Sequence, residues 1–248
     1  MKALILAAGY GTRIQEVVKD TPKALIEVGG KTILDHFFNQ LRQISQLNDF
    51  YLVTNNKFAN QFSDWRDKTS IDIKILDNKT TSNEERLGAI GDLQLLIDSF
   101  NINDDILVCA SDTIVQPRLA PFVESFNPSQ QSRICVRTID DIEDIKHRGV
   151  ALVDGKNKII DFEEKPKNPK SNLAAMPFYI YPKKVVPKIQ EYLDSGGNPD
   201  APGYFVAWLY TREPVYAHNI EGQVMDIGNP ESLDRARKLF NTSSSRAE

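Results

Sequence analysis

The sequence predicts an α/β protein built on a mixed, mainly parallel sheet flanked by helices, with a small antiparallel part. Short apolar runs alternate with helical patterns up to residue 113, and a hairpin-like pattern with further strands follows that residue. The 248 residues, of which 41% are hydrophobic, suit a soluble globular chain. We therefore predict one domain over 1–240, followed by a disordered tail over 241–248.

In the first part of the chain, buried-type apolar runs predict strands and apolar residues at helical spacing predict helices. The strands are predicted at 2–7, 50–56, 71–76 and 104–112. The helices are predicted at 32–46, where Thr32 can cap the first turn, and at 88–100. This alternation favours a doubly wound, parallel sheet.

The second part of the chain predicts more antiparallel structure. Strands are predicted at 132–139, 178–182 and 214–220, and a hairpin at 149–166 with Asp154–Gly155 in its turn. Helices are predicted at 183–197 and 229–240. Asn229 can cap the last helix, since Pro230 follows at the first helical position.

Composition excludes several classes of function. The net charge is −4 and no Lys/Arg cluster occurs, so nucleic-acid binding has no support. No apolar run approaches the roughly 20 residues of a membrane helix, so no membrane association is predicted. Cys109 and Cys135 each lie in an apolar run, as buried thiols of a reducing compartment do. We therefore expect a cytoplasmic protein.

The loop after the first strand carries two glycines, in LILAAGYGTR at residues 4–13. A dinucleotide fingerprint needs a third glycine where Ile14 stands, and an acidic residue that the second strand lacks. A Walker-type loop at GGKT, residues 29–32, needs a glycine in place of Leu25. An ordinary tight turn stays open on this stretch alone.

Two cations follow this loop. Arg13 comes directly after it, and Lys23 lies in TPKAL at residues 21–25. Glycines let backbone N–H groups approach phosphate oxygens, and Arg13 and Lys23 can then neutralise their charge. This combination suits a nucleoside triphosphate or its leaving pyrophosphate.

Longer motifs around these residues resemble the signature of the sugar-1-phosphate nucleotidyltransferases, also called nucleotide-sugar pyrophosphorylases. LAAGYGTR and TPKALIEVGGKTILDH match nearly all of the family pattern L-A-A-G-x-G-T-R, then P-K-x-L-x-x-V-x-G-K-P-x-L, with Thr32 in place of the usual proline. ILVCASD, FEEKP and QVMDIGNPE are similar to later family motifs, although Ser111 and Asn229 replace the usual glycine and threonine.

The resemblance implies a Rossmann-like sheet of the nucleotide-diphospho-sugar transferase type. It implies that residues 1–113 mainly bind the nucleotide and residues 114–240 mainly the sugar phosphate. The expected enzyme transfers a nucleotidyl group from an NTP to a sugar 1-phosphate, giving an NDP-sugar and pyrophosphate. Mg²⁺ is the expected cofactor, with Asp112 and Asp226 as ligands, because a hard cation prefers carboxylates, phosphates and water.

The resemblance also implies a role for each site residue. Arg13, Lys23 and Lys165 would be catalytic. The nucleotide-binding residues would be Leu6, Ala8, Gly9, Gly11, Thr12, Asn83 and Gly88. The sugar-phosphate-binding residues would be Gly149, Glu164, Lys165 and Asn172.

Several alternatives stay open at this point. One alternative is a cytidylyltransferase for a non-sugar phosphate such as phosphocholine, and another is a non-catalytic regulatory subunit that binds nucleotide sugars. LGAIG resembles guanylyl- and uridylyl-transfer relatives, whereas KSNLAA and FYIY resemble thymidylyl-transfer relatives, so the base is undecided. The sugar, the role of residues 196–210 and the formation of a homo-oligomer are also undecided.

Overall fold

The computed structural model describes residues 1–12, 14, 19–115, 118–127, 129–220, 222, 224–227 and 229–244, and within them the backbone forms three sheets. The strands are β1 (Lys2–Leu6), β2 (Glu27–Val28), β3 (Lys31–Thr32), β4 (Asp49–Thr54), β5 (Lys74–Asp77), β6 (Ile106–Ala110), β7 (Thr113–Val115), β8 (Ser132–Thr138), β9 (Gly149–Val153), β10 (Ile159–Glu164), β11 (Leu173–Tyr181), β12 (Val215–Asn219) and β13 (Val224–Asp226).

The helices of the described residues are α1 (Ile33–Leu41), α2 (Ala59–Thr69), α3 (Ala89–Ser99), α4 (Ala120–Glu124), α5 (Ile142–Ile145), α6 (Pro187–Asp194), α7 (Pro202–Leu209) and α8 (Pro230–Ser244). Short 3-10 turns cover Lys23–Leu25 and Asn83–Glu85. Within the described ranges, no helix combines the length and the apolar character needed to cross a bilayer.

The large sheet joins a parallel part to an antiparallel part. Strands β5, β4, β1 and β6 lie side by side and parallel. Strand β11 pairs antiparallel with β6 and with β8, and β8 pairs parallel with β12. The β9–β10 hairpin attaches through a pairing of β11 with β9. The predicted mixed, mainly parallel α/β fold is confirmed.

Helices cover both faces of this sheet. Ala3 and Ile5 of β1 pack into one core cluster with α1 and α2, and Leu4 packs into the opposite cluster with α3. Side chains alternate between the two faces because a strand has a two-residue period. A parallel strand buried on both sides reads as a continuous apolar run, which is the pattern at the start of this chain.

Local signals account for several element ends. The Thr32 hydroxyl accepts the Asp35 N–H and the Asp35 carboxylate accepts the Thr32 N–H, both at 3.0 Å, so α1 begins with a reciprocal capping box. The Asn229 side chain accepts the Ser232 N–H at 2.8 Å before α8. The GGKT segment forms the turn and the second strand of the β2–β3 hairpin, with Gly29 and Gly30 both at positive φ.

Other elements differ from the sequence-based prediction. Strand β5 begins three residues later, and β11 is nearly twice as long as the predicted 178–182 strand. The hairpin turn is closed by a bond from the Asp154 N–H to the Lys158 carbonyl at 2.9 Å, and Asn157 takes the left-handed conformation rather than Gly155. Helix α8 includes residues 241–244, whereas 245–248 lie outside the described residues.

Helices α2 and α7 were missed. Only Phe62 and Trp65 of α2 are buried, so the helix shows a weak apolar stripe. Helix α7 begins at Pro202, after a stretch of glycines and prolines that is typical of a loop. Tertiary packing on the sheet, rather than sequence periodicity, stabilises both helices.

A loop that is distant in sequence accepts hydrogen bonds from the first N–H groups of α3. The Ala89 and Ile90 N–H groups donate to the carbonyls of Asp200 (3.3 Å) and Pro199 (2.9 Å). Gly88 has φ +79°, and a Cβ there would lie 2.6 Å from the Pro199 carbonyl carbon. Position 88 therefore requires glycine for two independent reasons, its backbone conformation and this close approach.

We expect Gly88→Ala to lower the free energy of unfolding by about 2–4 kcal/mol, because a Cβ strains the backbone and displaces the loop. Urea denaturation measures this loss. Gly155→Ala is the control, since the space around that Cβ is open, and it should change stability by less than about 0.5 kcal/mol. Equal effects of the two substitutions would contradict the assigned contact.

Candidate functional site

The candidate site lies at the carboxyl ends of the parallel strands, where the loop after β1 leaves the sheet. The Ala7 N–H donates to the Val53 carbonyl at 2.9 Å, and the Ser111 N–H donates to the Leu6 carbonyl at 3.2 Å. The amide of Asn55, which is fully buried, donates to the Ala8 carbonyl at 3.0 Å. These bonds fix the start of the loop at an edge where α/β proteins commonly bind ligands.

Gly11 lets the loop turn next to a lysine. Its φ is +64°, and a Cβ at this position would lie 3.4 Å from Cγ of Lys23. Lys23 follows Pro22 at the start of a 3-10 turn, so a separate segment brings this cation against the loop. Gly9 and Thr12 are exposed within the same loop.

Lys23 pairs with one of the two predicted metal ligands. Its Nζ lies 3.4 Å from a carboxylate oxygen of Asp112, although the residues are 89 positions apart. The Lys23 side chain is 16% exposed and that of Asp112 is 31% exposed. Both charges are therefore partly shielded but still accessible to a ligand.

The second predicted ligand approaches Asp112 through the backbone. Asp226 pairs with Thr113 in the β7–β13 ladder, and the Ile227 N–H donates to the Asp112 carbonyl at 3.0 Å. The side chain of Asp226 lies outside the described residues. Among the described side chains, no group of three metal-ligating residues occurs. A pair of aspartates at neighbouring positions fits Mg²⁺, which takes most of its other ligands from water and substrate phosphates.

Arg13 lies outside the described residues, so its contribution to the site stays a prediction. Its neighbour Ile14 is fully buried in a small cluster with Ile26, Ile114 and Ile227. These three isoleucines follow Lys23, Asp112 and Asp226 within three residues. One apolar cluster therefore anchors the chain beside each of these predicted site residues.

Glu164 occupies a cradle made by two glycines. A Cβ at Gly149 would lie 2.8 Å from Oε2 of Glu164, and a Cβ at Gly203 would collide with the same carboxylate. The Glu164 pKa is raised from 4.5 to about 7, chiefly by burial; the Lys165 charge lowers this pKa and the Asp200 charge raises it. The carboxyl group can therefore both donate and accept hydrogen bonds near neutral pH.

Lys165 projects from the end of β10 in a left-handed conformation with φ +53°. Its N–H donates to the Arg148 carbonyl at 2.9 Å, and its Nζ lies 3.7 Å from Oδ2 of Asp200. Asn172 exposes its side chain just before β11, and its carbonyl accepts the Ile139 N–H at 2.9 Å. Gly149, Glu164 and Lys165 are thus brought together by the β9–β10 hairpin.

The predicted base-binding residues lie between β5 and α3. Asn83 is half-buried in a 3-10 turn, and Gly88 is buried against the Pro199 backbone. This contact explains the glycine without a nucleobase, so base contacts by Asn83 and Gly88 stay predictions.

A buried polar network that the sequence did not indicate links the loop to α3. The Tyr10 hydroxyl donates to the Thr80 hydroxyl at 3.0 Å, and Thr80 donates to the Asn78 side-chain oxygen at 2.8 Å. The Asn78 amide then donates to Asp92 at 2.7 Å. Asn55 was missed as well, because the strand end LVTNN indicates only that the ribose-binding carboxylate of a dinucleotide fingerprint is absent.

Comparison with known proteins gives a match over almost the entire chain. Residues 2–243 match the family model described as "Nucleotidyl transferase". Over 244 residues the chain is 28% identical to a glucose-1-phosphate adenylyltransferase of Fervidobacterium nodosum, covering 92% of the chain and 58% of that protein. It is 24% identical to the UTP--glucose-1-phosphate uridylyltransferase AglF of Haloferax volcanii, covering 100% and 99%.

A solved structure of UDP-glucose pyrophosphorylase complexed with UDP-glucose has the same fold, with a TM-score of 0.81. The alignment with this structure covers 98% of each chain, and the two sequences are 18% identical. The chain spans between 53% and 62% of the length of four curated relatives that it matches. The family resemblance stated from the sequence is confirmed.

The buried network predicts a pH-dependent stability. Burial raises the Asp92 pKa from 3.8 to about 6, so between these values the folded chain holds a proton that the unfolded chain releases. This contribution to stability is present below the unfolded pKa and is lost as the pH rises through about 6. From about pH 4 to pH 7.5, the free energy of unfolding of Asp92→Asn should gain about 2–3 kcal/mol relative to wild type.

Urea denaturation across this pH range measures the difference. The exposed Asp67 supplies a control, since Asp67→Asn removes the same charge and should follow the wild-type pH profile. Parallel profiles for wild type and Asp92→Asn would rule out the raised pKa.

Proposed function

Because the chain belongs to the nucleotidyl transferase family, we propose that it is an enzyme that transfers a nucleotidyl group from an NTP to a sugar 1-phosphate. The products are an NDP-sugar and pyrophosphate. The observation that carries this proposal is the Lys23–Asp112 pair beside Gly11, since it joins a cation, a candidate metal ligand and a glycine loop at one sheet edge. Relatives named for transfer to glucose 1-phosphate support a sugar 1-phosphate as the acceptor.

The reaction needs little acid–base chemistry. An oxygen of the sugar phosphate attacks the α-phosphorus in line, a new P–O bond forms, and the bond to the β-phosphate oxygen breaks with loss of pyrophosphate. The attacking phosphate is already anionic at neutral pH, so no strong general base is required. The barrier comes from bringing two anions together, and positioned cations lower it.

Each predicted site residue then has a role in binding a substrate or in stabilising charge. Lys23 stabilises the α-phosphate and aligns the nucleophile, and Arg13 with the amides of the Gly9–Gly11 loop holds the β- and γ-phosphates. Lys165 holds the sugar phosphate. Gly149, Glu164 and Asn172 bind sugar hydroxyls. The remaining nucleotide contacts are assigned to Leu6, Ala8, Thr12, Asn83 and Gly88.

Asp112 and Asp226 would hold Mg²⁺, and their adjacent backbones support this assignment. When bound, the ion supplies positive charge to the reacting phosphates. Lys23 Nζ lies 3.4 Å from Oδ2 of Asp112, so the lysine would add positive charge next to the metal ligand.

We further propose that 1–113 forms the nucleotide-binding half and 114–240 the sugar-phosphate-binding half of one domain. We place the enzyme in the cytoplasm. The two buried cysteines, Cys109 and Cys135, support this compartment because both are free thiols.

The proposal predicts pyrophosphate release when the chain is incubated with Mg²⁺, one of five NTPs and a panel of sugar 1-phosphates. Lys23→Met and Asp112→Asn should each lower kcat by about 10²–10³, because each removes a group that stabilises charge in the transition state. Coupled detection of pyrophosphate measures the rate.

Asp67→Asn is the control and should keep the wild-type rate, since Asp67 lies exposed on α2. Circular dichroism shows whether the inactive variants are folded. The proposal fails if no NTP and sugar 1-phosphate pair releases pyrophosphate, or if folded Lys23→Met and Asp112→Asn retain full activity. Nucleotide-sugar binding without turnover would identify a regulatory subunit instead.

A further inference from the structure

Two cations converge on one carboxylate between α3 and the β9–β10 hairpin. Nη2 of Arg86 lies 3.2 Å from Oδ1 of Asp200, and Nζ of Lys165 lies 3.7 Å from Oδ2 of the same group. Arg86 precedes α3, Lys165 follows β10, and Asp200 lies in the loop before α7. Three segments that are distant in sequence therefore build one charge cluster.

The backbone holds Asp200 firmly at this position. Its carbonyl accepts the Ala89 N–H, and its own N–H donates to the Asn198 side chain at 3.0 Å. The backbone of Asp200 therefore stays beside the cations because its loop is tied to the start of α3. Gly203, three residues later in the first turn of α7, packs against Glu164, so the segment that follows Asp200 also shapes the predicted sugar site.

The ion pairs themselves are weak and exchangeable. The side chains of Arg86, Asp200 and Lys165 are between 41% and 50% exposed. Exposed pairs of this kind contribute little, since water screens them. A phosphate dianion carries more charge than a carboxylate and offers three oxygens, so it can replace the carboxylate between two cations.

We propose that the Asp200 carboxylate lies between Arg86 and Lys165 at the anion position that the phosphate of the sugar 1-phosphate takes on binding. Arg86 is then a second cation for that phosphate, together with Lys165. Asp200 keeps the two cations close together, and its carboxylate is displaced when the substrate phosphate binds. This inference rests on the proposed function for the identity of the ligand, but the anion site itself rests on the Arg86–Asp200–Lys165 geometry.

Charge balance gives the direction of each effect. Asp200 repels an incoming phosphate and competes for both cations, so its removal strengthens binding. Arg86 attracts the phosphate, so its removal weakens binding. A purely structural role for Asp200, in which the carboxylate only holds the loop, would instead make Asp200→Asn bind phosphate less tightly.

Titration calorimetry with inorganic phosphate tests the site on the full chain. We expect Asp200→Asn to lower the Kd for phosphate about threefold, which matches the loss of a screened, competing pair. Arg86→Gln should raise the Kd about tenfold through loss of a charge-assisted hydrogen bond, and Arg86→Lys should recover part of this loss. Asp67→Asn removes the same charge as Asp200→Asn from another exposed arginine–aspartate pair and should leave the Kd unchanged.

An unchanged or raised Kd in Asp200→Asn, or an unchanged Kd in Arg86→Gln, overturns the proposal. Absence of phosphate binding to both wild type and Asp200→Asn overturns it too. With an active NTP and sugar 1-phosphate pair, the same variants should shift KM for the sugar 1-phosphate and leave KM for the NTP unchanged. If calorimetry gives the expected pattern while no pair releases pyrophosphate, the anion site stands and the proposed function fails.

Discussion

The parallel placement of β1 between β4 and β6 is the constraint on which the rest of the site depends. Leu6 pairs with Val53 on one side and with Ala110 on the other, so three strands end at the same level. Buried backbone groups must find hydrogen-bond partners, which leaves little freedom of register. The glycine loop, the Asn55 side chain that binds it and Asp112 therefore lie at one edge of the sheet.

A second constraint, apolar packing, acts beyond the ends of the parallel strands. The small apolar cluster around Ile14, Ile26, Ile114 and Ile227 joins four segments that each carry a predicted site residue. Leu233 and Ala236 of α8 close this cluster, so the last helix of the chain stabilises the first loop. Dense packing resists local displacement, and displacement of one segment would shift the others. This arrangement holds together segments that lie far apart in the sequence.

The sequence predicted most of the fold because strand burial and helix periodicity repeat in a regular order. It failed where packing overrides local pattern. Helix α2 has few apolar residues, and α7 begins within a glycine- and proline-rich stretch. Strands β7 and β13 are each three residues long and acquire their conformation by pairing with each other. Short elements of this kind carry too little local signal to be recognised.

The sequence by itself determined the family and the glycine loop, and it predicted the residue types that we propose to bind phosphate, because motif spacing along the chain preserves them. Only the tertiary structure decided which groups meet. It placed Lys23 against Asp112, the Asp226 backbone beside Thr113, and Asp200 between Arg86 and Lys165. These contacts join segments separated by up to 114 positions. Spacing along the chain cannot specify such pairs, since they arise only when the strand order and the loop closures bring their segments together.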